Sequence, residues 1–260
     1  MRILCTNDDG INAPGIGIVE DIAKQISDDV WVVAPESDQS GVSHSLSLND
    51  PLRLREISPR HFAVRGTPTD CVIMGVRHII KGKRPDIVLS GVNRGRNVAE
   101  DVVYSGTIAG AMEGVILGIP SFALSQEFGV ETRQKLPWDN ALAHGPEIIK
   151  RIFETGVPPD TVINVNFPNC GPNEVQGVVI SRQGKRNQGF LNIEGRKDGR
   201  GNDYFWIGFE RALAAEPPGE GTDLEALARK CVSVTPLRLN LTDEVFSRTL
   251  ADVLKDRAPG

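Results

Sequence analysis

The chain has 260 residues, 40% of them hydrophobic, and a net charge of -5 from 29 Lys and Arg against 34 Asp and Glu. Its size allows one large or two small domains, and its charge disfavours stable nucleic-acid binding while leaving room for a small phosphorylated substrate. Four scattered cysteines without a CxxC pair argue against a zinc ribbon or disulfide framework and predict reduced thiols. Since no signal-peptide pattern or membrane-length apolar run is present, we expect a cytoplasmic protein without membrane attachment.

The first ten residues are an apolar run that ends in Asp8, Asp9 and Gly10. This pattern predicts a buried strand with two carboxylates at its carboxyl end. Because neighbouring side chains of a strand point to opposite faces, the carboxylates converge on one cation only if the chain turns there, which Gly10 permits. A hard-cation site is one interpretation, and a solvated Asx turn before a helix is the other.

A helix with apolar residues at Val19, Ile22, Ala23 and Ile26 follows, and then a buried strand at 30–34. The order strand, helix, strand predicts a parallel sheet. A dinucleotide-binding fold also begins this way. However, the first turn reads Asn-Asp-Asp-Gly in place of GxGxxG, and its carboxylates would repel a pyrophosphate.

The polar loop 35–45 lies at the carboxyl end of that second strand, the edge at which open α/β sheets bind ligands. Ser40 is therefore a candidate oxygen ligand facing Asp8 and Asp9. His44 has two interpretations, as a proton carrier or as a residue that only hydrogen-bonds the loop.

Residues 52–65 alternate weakly and predict a small hairpin. The turn at 66–70 then offers Thr69 or Asp70 as the cap of the next helix. A third core strand is predicted at 86–90.

A polar segment, 90–97, follows this third strand. Its two glycines allow the backbone to approach a ligand closely, and Asn93 and Asn97 supply neutral oxygens and donors. An ordinary glycine-rich loop would show the same composition.

Ser105, Gly106 and Thr107 open a further helix, which Gly118 closes before a fourth strand at 121–125. Free backbone amides and two hydroxyls at this helix start form a candidate anion site. A serine that merely caps the helix is the equal alternative.

A helix at 138–153 is predicted to be interrupted at 145–146, and a fifth strand covers 161–168. Asn164 and Asn166 alternate along that strand and share a face. They are expected to bind either a neighbouring loop or the ligand.

The last third of the chain reads as an embellishment of one domain, 1–260, whose core covers about 1–180. Beta-like runs at 177–182 and 203–208 flank a polar, glycine-rich insertion at 184–203, as in a protruding hairpin. After it come a loop at 216–221, the segment Leu-Glu-Ala-Leu-Ala at 224–228, a strand at 231–237 and a last helix near 242–255. We expect the insertion and carboxyl-terminal extension, about 181–260, to take part in oligomerisation.

Six segments of the chain form a recognisable set: 7–10, 33–44, 66–71, 90–93, 104–107 and 232–237. The set resembles the survival protein SurE family of metal-dependent nucleoside monophosphate phosphatases. The resemblance implies a Rossmann-like, mostly parallel α/β sheet flanked by helices. It also implies a cytoplasmic 5′-nucleotidase that acts on 3′-nucleotides and short polyphosphate as well, uses one Mg²⁺ or Mn²⁺ per subunit, and forms homodimers or homotetramers.

The resemblance assigns a role to each candidate position. The family's metal ligands correspond to Asp8, Asp9, Ser40 and Asn93, the first two forming the catalytic centre. The substrate's phosphoryl group is expected at Asn97, Ser105, Gly106 and Thr107. Two departures stand out. Arg96 replaces a usual proline, with an expected effect on substrate preference, and Lys230 and Cys231 replace a glycine and an aromatic residue, with an effect on packing alone.

Carboxylate, hydroxyl and amide oxygens select a hard divalent ion that keeps several waters. Such an ion polarises a phosphoryl oxygen and activates water, which favours direct attack by water. A phosphoaspartate route through Asp8 or Asp9 is the alternative, although a metal-bound carboxylate is a poorer nucleophile.

A non-enzymatic receiver or metal-gated sensor also carries paired aspartates after its first parallel strand. A receiver would be about half this length. It would also need a lysine at a late strand end, which none of the predicted strands supplies. The sequence therefore favours the phosphomonoesterase.

Overall fold

A nine-stranded sheet and a separate two-stranded hairpin make up the β-structure of the computed structural model, which describes residues 1–186, 191–209 and 218–254. The strands in these ranges are β1 Arg2–Thr6, β2 Asp29–Pro35, β3 Arg53–Ser58, β4 His61–Arg65, β5 Ile87–Arg94, β6 Ser121–Gln126, β7 Thr161–Phe167, β8 Gly177–Ile180, β9 Leu191–Lys197, β10 Asp203–Phe209 and β11 Cys231–Arg238. The helices are α1 Pro14–Lys24, α2 Pro68–Met74, α3 Asp101–Tyr104, α4 Gly106–Ile116, α5 Trp138–Thr155, α6 Asp223–Ala228 and α7 Glu244–Leu254. A π-helical turn, Gly75–Ile79, extends α2, and a 3₁₀ turn, Pro172–Glu174, precedes β8.

The large sheet has the strand order β3-β4-β2-β1-β5-β6-β7-β11-β8. The strands from β4 to β7 in this order are mutually parallel, whereas β3 and β11 run antiparallel to their neighbours β4 and β7. The predicted, mostly parallel α/β sheet is confirmed. From β1 the chain builds outward through β2 and β4 and then returns to β5 on the other side of β1. This reversal creates a crevice beside the carboxyl end of β1, the usual ligand position in such folds.

The core lies on both faces of the sheet. In β1, Ile3 and Cys5 enter a cluster that includes the buried faces of α1 and α5, while Leu4 enters a second cluster with α2. Strands that are apolar on both faces are typical of a parallel sheet covered by helices. The four cysteines are free and buried, as predicted.

The start of α2 corrects one prediction. Thr67, rather than Thr69 or Asp70, caps this helix, and its Oγ1 accepts a hydrogen bond from Asp70 N at 3.2 Å. In return, Asp70 Oδ2 accepts from Thr67 N at 2.8 Å. Asp70 therefore closes a capping box whose first residue, Thr67, lies two or three positions before the predicted cap.

The predicted interruption of the helix at 145–146 is wrong, because α5 runs unbroken through Pro146. Apolar residues on its inner face, including Ile148 and Ile149, pack against the core, and Gly145 lies close to Ile22 of α1. Tertiary packing thus overrides a local helix-breaking signal.

The hairpin in the last third also differs from its prediction. The run at 177–182 supplies β8, which pairs with β11 in the large sheet. The partner of β10 is β9, inside the predicted polar insertion, and Asp198 organises the turn by accepting from Arg200 N at 2.8 Å and Asn202 N at 2.9 Å. The positions 187–190, 210–217 and 255–260 lie outside the described residues, and with them part of the predicted insertion, part of the loop at 216–221 and the predicted end of the last helix.

The other predicted elements occur near their expected positions, including the small hairpin, which forms β3 and β4. Within the described ranges, no helix has both the length and the apolar composition that a membrane crossing requires. The division into one domain with a core at about 1–180 stays a prediction.

Two glycines of α1 differ sharply in their surroundings and provide a test of how tightly α1 packs on β5. A Cβ at Gly15 would lie 2.0 Å from Val92 O, whereas a Cβ at Gly17 would meet nothing within 4 Å. We expect Gly15→Ala to lower the free energy of unfolding by about 1–3 kcal/mol or more through overpacking. Gly17→Ala, the matched control, should raise it by about 0.5–1 kcal/mol through helix propensity. Denaturant unfolding measures both, and equal effects of the two substitutions would contradict the close approach.

Candidate functional site

The turn after β1 brings two adjacent carboxylates to the crevice. Gly10 adopts a left-handed conformation, with φ of +101°, as the sequence predicted. The buried Asn7 holds this turn, because its Nδ2 donates to Gly10 O at 2.9 Å and its Oδ1 accepts from Gly10 N at 3.2 Å. As a result, Asp8 and Asp9 line the same cavity.

Asp8 is enclosed by the start of α4. Its side chain is 4% exposed, and Thr107 Oγ1 donates to its Oδ1 at 2.5 Å. A Cβ on Gly106 would lie only 2.7 Å from Asp8 Cβ, so the helix approaches this closely only because position 106 is glycine. Gln39 N donates to Asp8 O at 2.8 Å and ties the loop 35–45 to the same point.

Burial perturbs both carboxyl groups. It raises the pKa of Asp8 to about 7, and the neighbouring charge of Asp9 adds to this rise while the hydrogen bond from Thr107 opposes it. Burial also raises the pKa of Asp9, against a hydrogen bond from Arg94 N, which lies 3.3 Å from Asp9 Oδ2. Two acidic groups with raised pKa values in one cavity mark a site that a cation would stabilise.

Ser40 and Asn93 reach this cavity from two other segments. Ser40 is oriented by Asp38, whose Oδ1 accepts from Ser40 N at 2.8 Å and from Ser40 Oγ at 2.6 Å. Asn93 follows a bulge, and its Nδ2 donates to Gly95 O at 2.8 Å. The four predicted metal ligands thus converge on a cavity of about 200 Å³.

The bulge in β5 corrects the predicted end of this strand. The predicted strand stopped at Ser90, but β5 continues to Arg94. Its register against β6 shifts between Ser90, which pairs with Ala123, and Asn93, which pairs with Ser125. Bulges re-aim side chains next to functional sites, and this one carries Asn93 to the crevice edge.

The predicted phosphate-binding residues separate into two groups. Asn97 and Ser105 line the cavity together with the four oxygen ligands. Ser105 also caps α4, since its Oγ accepts from Ile108 N at 3.1 Å, so capping does not prevent it from facing the site. Thr107 is fully buried and its hydroxyl donates to Asp8, while Gly106 packs against Asp8. Neither therefore presents a side chain to a substrate in this arrangement.

The asparagines of β7 bind a neighbouring loop, one of the two predicted alternatives. Asn164 Nδ2 donates to Asn97 O at 2.8 Å, and Asn166 exchanges two bonds with the Asn97 backbone, at 2.8 and 3.2 Å. The side chain of Asn97 in turn donates from Nδ2 to Ser125 Oγ at 3.0 Å. Strands β6 and β7 thus fix the loop that borders the cavity.

Three other residues named from the sequence form side-chain contacts away from the carboxylate pair: His44, Arg96 and Lys230. His44 Nε2 lies 3.1 Å from Glu113 Oε2 on α4, which gives it a partner outside its own loop. Arg96 lines the cavity and forms an ion pair with Glu127, with 2.6 Å between Nη1 and Oε1. Lys230 forms an exposed ion pair with Glu174 at 2.9 Å.

Three contributors to the site were given no role from the sequence: Asn7, Asp38 and Arg94. Asn7 directly precedes the carboxylates and Asp38 lies two residues before Ser40, the spacing of an Asx turn, so both had a local signal. The contribution of Arg94 is a backbone N–H, for which no side-chain pattern gives a signal.

The donor set has a definite chemical preference. Among residues 1–186, 191–209 and 218–254, no group of three or more His, Cys, Asp or Glu side chains could hold a metal ion. The four converging side chains instead combine two carboxylates with one hydroxyl and one amide oxygen. This all-oxygen set suits Mg²⁺ or Mn²⁺ with retained waters and lacks the nitrogen and sulfur ligands of zinc.

An open, mostly parallel α/β sheet with an acidic, all-oxygen site beside its topological switch point defines the class of this protein. Within that class, the chain belongs to the survival protein SurE family, whose model matches residues 3–189. The resemblance expected from the sequence is confirmed.

Individual relatives support this assignment over nearly the whole chain. A protein of Rhodopseudomonas palustris (strain HaA2) named 5′-nucleotidase SurE is 74% identical, covering 98% of this chain and 100% of its own length. A protein of the same name from Bradyrhizobium diazoefficiens is 70% identical with the same coverage. The crystal structure of the SurE protein from Aquifex aeolicus matches with a TM-score of 0.81 and 40% identity, over 97% of this chain and 99% of that one.

The raised pKa of Asp8 predicts a pH-dependent cost of folding. Between its ordinary value of 3.8 and about 7, the folded protein keeps a proton that the unfolded chain has lost. The contribution of Asp8 to the free energy of unfolding therefore falls as the pH rises through this interval and levels off above it. In the presence of a chelator, we expect Asp8→Asn to melt at a higher temperature than the original protein. The difference in melting temperature should grow from pH 4 to pH 7 and stay constant above pH 7. Calorimetric melting over this pH range measures the difference, and a difference independent of pH would contradict the burial of an ionisable Asp8.

Proposed function

We propose that the protein is a divalent-cation-dependent phosphomonoesterase that hydrolyses nucleoside 5′-monophosphates to nucleoside and phosphate. One observation carries the proposal: Asp8, Asp9, Ser40 and Asn93, from three separate segments, line one small cavity at the switch point of the sheet. The relatives named 5′-nucleotidase, which match the chain nearly end to end, support the same activity and disfavour a receiver or sensor. Nucleoside 3′-monophosphates and short polyphosphate are proposed as further substrates.

Asp8, Asp9, Ser40 and Asn93 would hold one Mg²⁺ or Mn²⁺. When bound, such an ion neutralises developing charge on a phosphoryl oxygen and lowers the pKa of water. Asn97 and Ser105 border the space left for the phosphoryl group and orient it. Thr107 and the Arg94 backbone hold the two carboxylates in fixed positions, which is the preorganisation that electrostatic catalysis requires.

Water, rather than an aspartate, is the proposed nucleophile. Asp8 is almost fully buried and packed against Gly106 and Thr107, so it has little room to form a bond to phosphorus. Asp9 is more exposed, but as a cation ligand it would be a weak nucleophile.

The test is phosphate release from a panel of nucleoside 5′- and 3′-monophosphates and short polyphosphate, with Mg²⁺, Mn²⁺ or chelator. We expect turnover of 5′-monophosphates only with an added cation. Asp9→Asn, which removes one charge from the cation site, should weaken cation affinity steeply and be partly rescued by excess Mn²⁺. Full activity after exhaustive chelation, or no activity on any nucleotide, would overturn the proposal.

Substitutions of Thr107 test whether its hydroxyl orients Asp8 or contacts the phosphate directly. Thr107→Val keeps the volume but removes the hydroxyl that donates to Asp8, and loss of such an outer contact commonly costs 10–100-fold in metal affinity or activity. Thr107→Ser keeps the donor and serves as the matched control. We expect calorimetric Mn²⁺ titration to show weakened binding for Thr107→Val and near-normal binding for Thr107→Ser. Normal Mn²⁺ affinity in Thr107→Val together with lost turnover would instead indicate a phosphate contact.

We also propose that the protein forms homodimers or homotetramers through its carboxyl-terminal part. Helix α7 has no buried residue, and Phe246, Leu250 and Val253 lie exposed at one-turn spacing. In the hairpin, Ile193 is paired with Ile207, and both are exposed. An isolated hairpin is marginally stable in water, so a second copy of the chain is the proposed cover for these apolar surfaces.

Light scattering at micromolar concentration tests this assembly. We expect a dimer or tetramer mass, reduced by Leu250→Asp on the apolar side of α7. Arg248→Asp introduces the same residue on the opposite side of the helix and should leave the mass unchanged. A monomer in all three proteins would count decisively against oligomerisation. The predicted cytoplasmic location stays a prediction.

A further inference from the structure

A second, larger cavity adjoins the proposed phosphate site. It lies between the start of α1 and the start of α5, has a volume of about 620 Å³, and shares Asp9 and Arg94 with the smaller cavity. We call it the side cavity and define it by Trp138, Asp139, Lys135 and Asp38 in addition to the two shared residues. Its volume is in the range of small-molecule sites, whereas the cavity of about 200 Å³ around the oxygen ligands is below that range. A substrate whose phosphate lies at Asp9 therefore has adjoining room for the rest of the molecule here.

The charges of the side cavity indicate what kind of group it holds. Three carboxylates, Asp9, Asp38 and Asp139, face two cationic side chains, Arg94 and Lys135. The guanidinium of Arg94 is already engaged, since Nη2 donates to Arg133 O at 2.7 Å and the group lies 5.8 Å from the centre of the Phe128 ring. A chain of phosphates would meet more negative than positive charge in this space. An uncharged group is a better match.

Trp138 provides the recognition surface. It is the first residue of α5 and is half-buried. Together with Leu142 it packs against the apolar cluster that includes the buried faces of α1 and α5, which holds its ring in place. A fixed indole ring binds flat aromatic ligands by stacking, and it accepts any nucleobase because every base has a π-face. The neighbouring Asp139 has an exposed carboxylate, which accepts hydrogen bonds from hydroxyl groups.

We propose that the side cavity binds the nucleoside part of the substrate, with the base stacked on Trp138 and the ribose hydroxyls directed to Asp139. The proposal rests on the proposed function, because it assumes that the phosphate occupies the cavity around Asp8 and Asp9. Recognition through the face of the ring makes the enzyme tolerant of base identity. It also makes turnover depend on the presence of a base.

The experiment compares a nucleoside 5′-monophosphate with ribose 5-phosphate, which lacks the base, in the full chain with Mn²⁺. We expect Trp138→Ala to lower kcat/KM for adenosine, guanosine, cytidine and uridine monophosphates by roughly 5–150-fold, mainly through KM. Ribose 5-phosphate should change by no more than about twofold. Trp138→Phe should recover most of the loss because it keeps an aromatic ring.

Leu142→Ala is the matched control for stability. Leu142 is half-buried against the same cluster but does not border the side cavity, so its truncation should affect all substrates alike. An equal loss on ribose 5-phosphate and nucleotides in Trp138→Ala would overturn the proposal. So would a loss on tripolyphosphate as large as on nucleotides, since the cavity would then hold phosphates.

Calorimetric titration with adenosine alone separates this proposal from the proposed function. Millimolar or tighter binding that Trp138→Ala abolishes and Trp138→Phe retains supports the side cavity, whether or not the protein hydrolyses nucleotides. No adenosine binding to the original protein overturns the side-cavity proposal while leaving a cation-dependent phosphatase intact. If no nucleotide releases phosphate, the proposed function is overturned, whatever the result of the adenosine titration.

Discussion

The structure depends on holding two adjacent carboxylates at the end of a buried strand, where desolvation and mutual repulsion both oppose their ionised forms. Hydrogen bonds from neighbouring segments hold the turn and both carboxylates in place. Asn7 and Gly10 shape the turn, Thr107 donates to Asp8, and the Arg94 backbone donates to Asp9. Of these residues only Arg94 is charged, and its attraction lowers the pKa of Asp9 by less than burial raises it. A cation bound as proposed would therefore stabilise the ionised forms of both carboxylates.

The order of the strands explains why the donors meet. Because β1 lies between β2 and β5, the segments that follow these three strands emerge side by side at one edge of the sheet. Asp8 and Asp9, Ser40, and Asn93 each follow or end one of them. The short contact between Gln39 N and Asp8 O shows that the second segment folds back onto the first. The site is thus assembled by topology, and its parts need no proximity along the chain.

Much of this arrangement was predictable from the sequence, because strand patterns and the turn at Gly10 are local properties. The four oxygen donors were named correctly as neighbours for the same reason: each stands near a predicted strand end. The bulge before Asn93, the continuity of α5 through Pro146 and the pairing of β9 with β10 were missed, since each depends on a partner distant in sequence. The contact of Thr107 with Asp8 joins residues 99 positions apart, and a helix-start pattern does not reveal which strand end it will meet.

The glycine at position 106 has a consequence for how the protein can change. Any side chain there would place an atom 2.7 Å from Asp8 Cβ, and no rotamer avoids a clash that begins at Cβ itself. Directed evolution of this enzyme must therefore keep glycine at position 106, in the first turn of α4, whereas the cavity beside Trp138 is also bordered by exposed side chains such as Lys135, to which the proposed recognition assigns no role. Libraries that seek altered substrate range would diversify the second region and keep the first unchanged. The constraint on sequence change is therefore strict at position 106 and weaker around the side cavity.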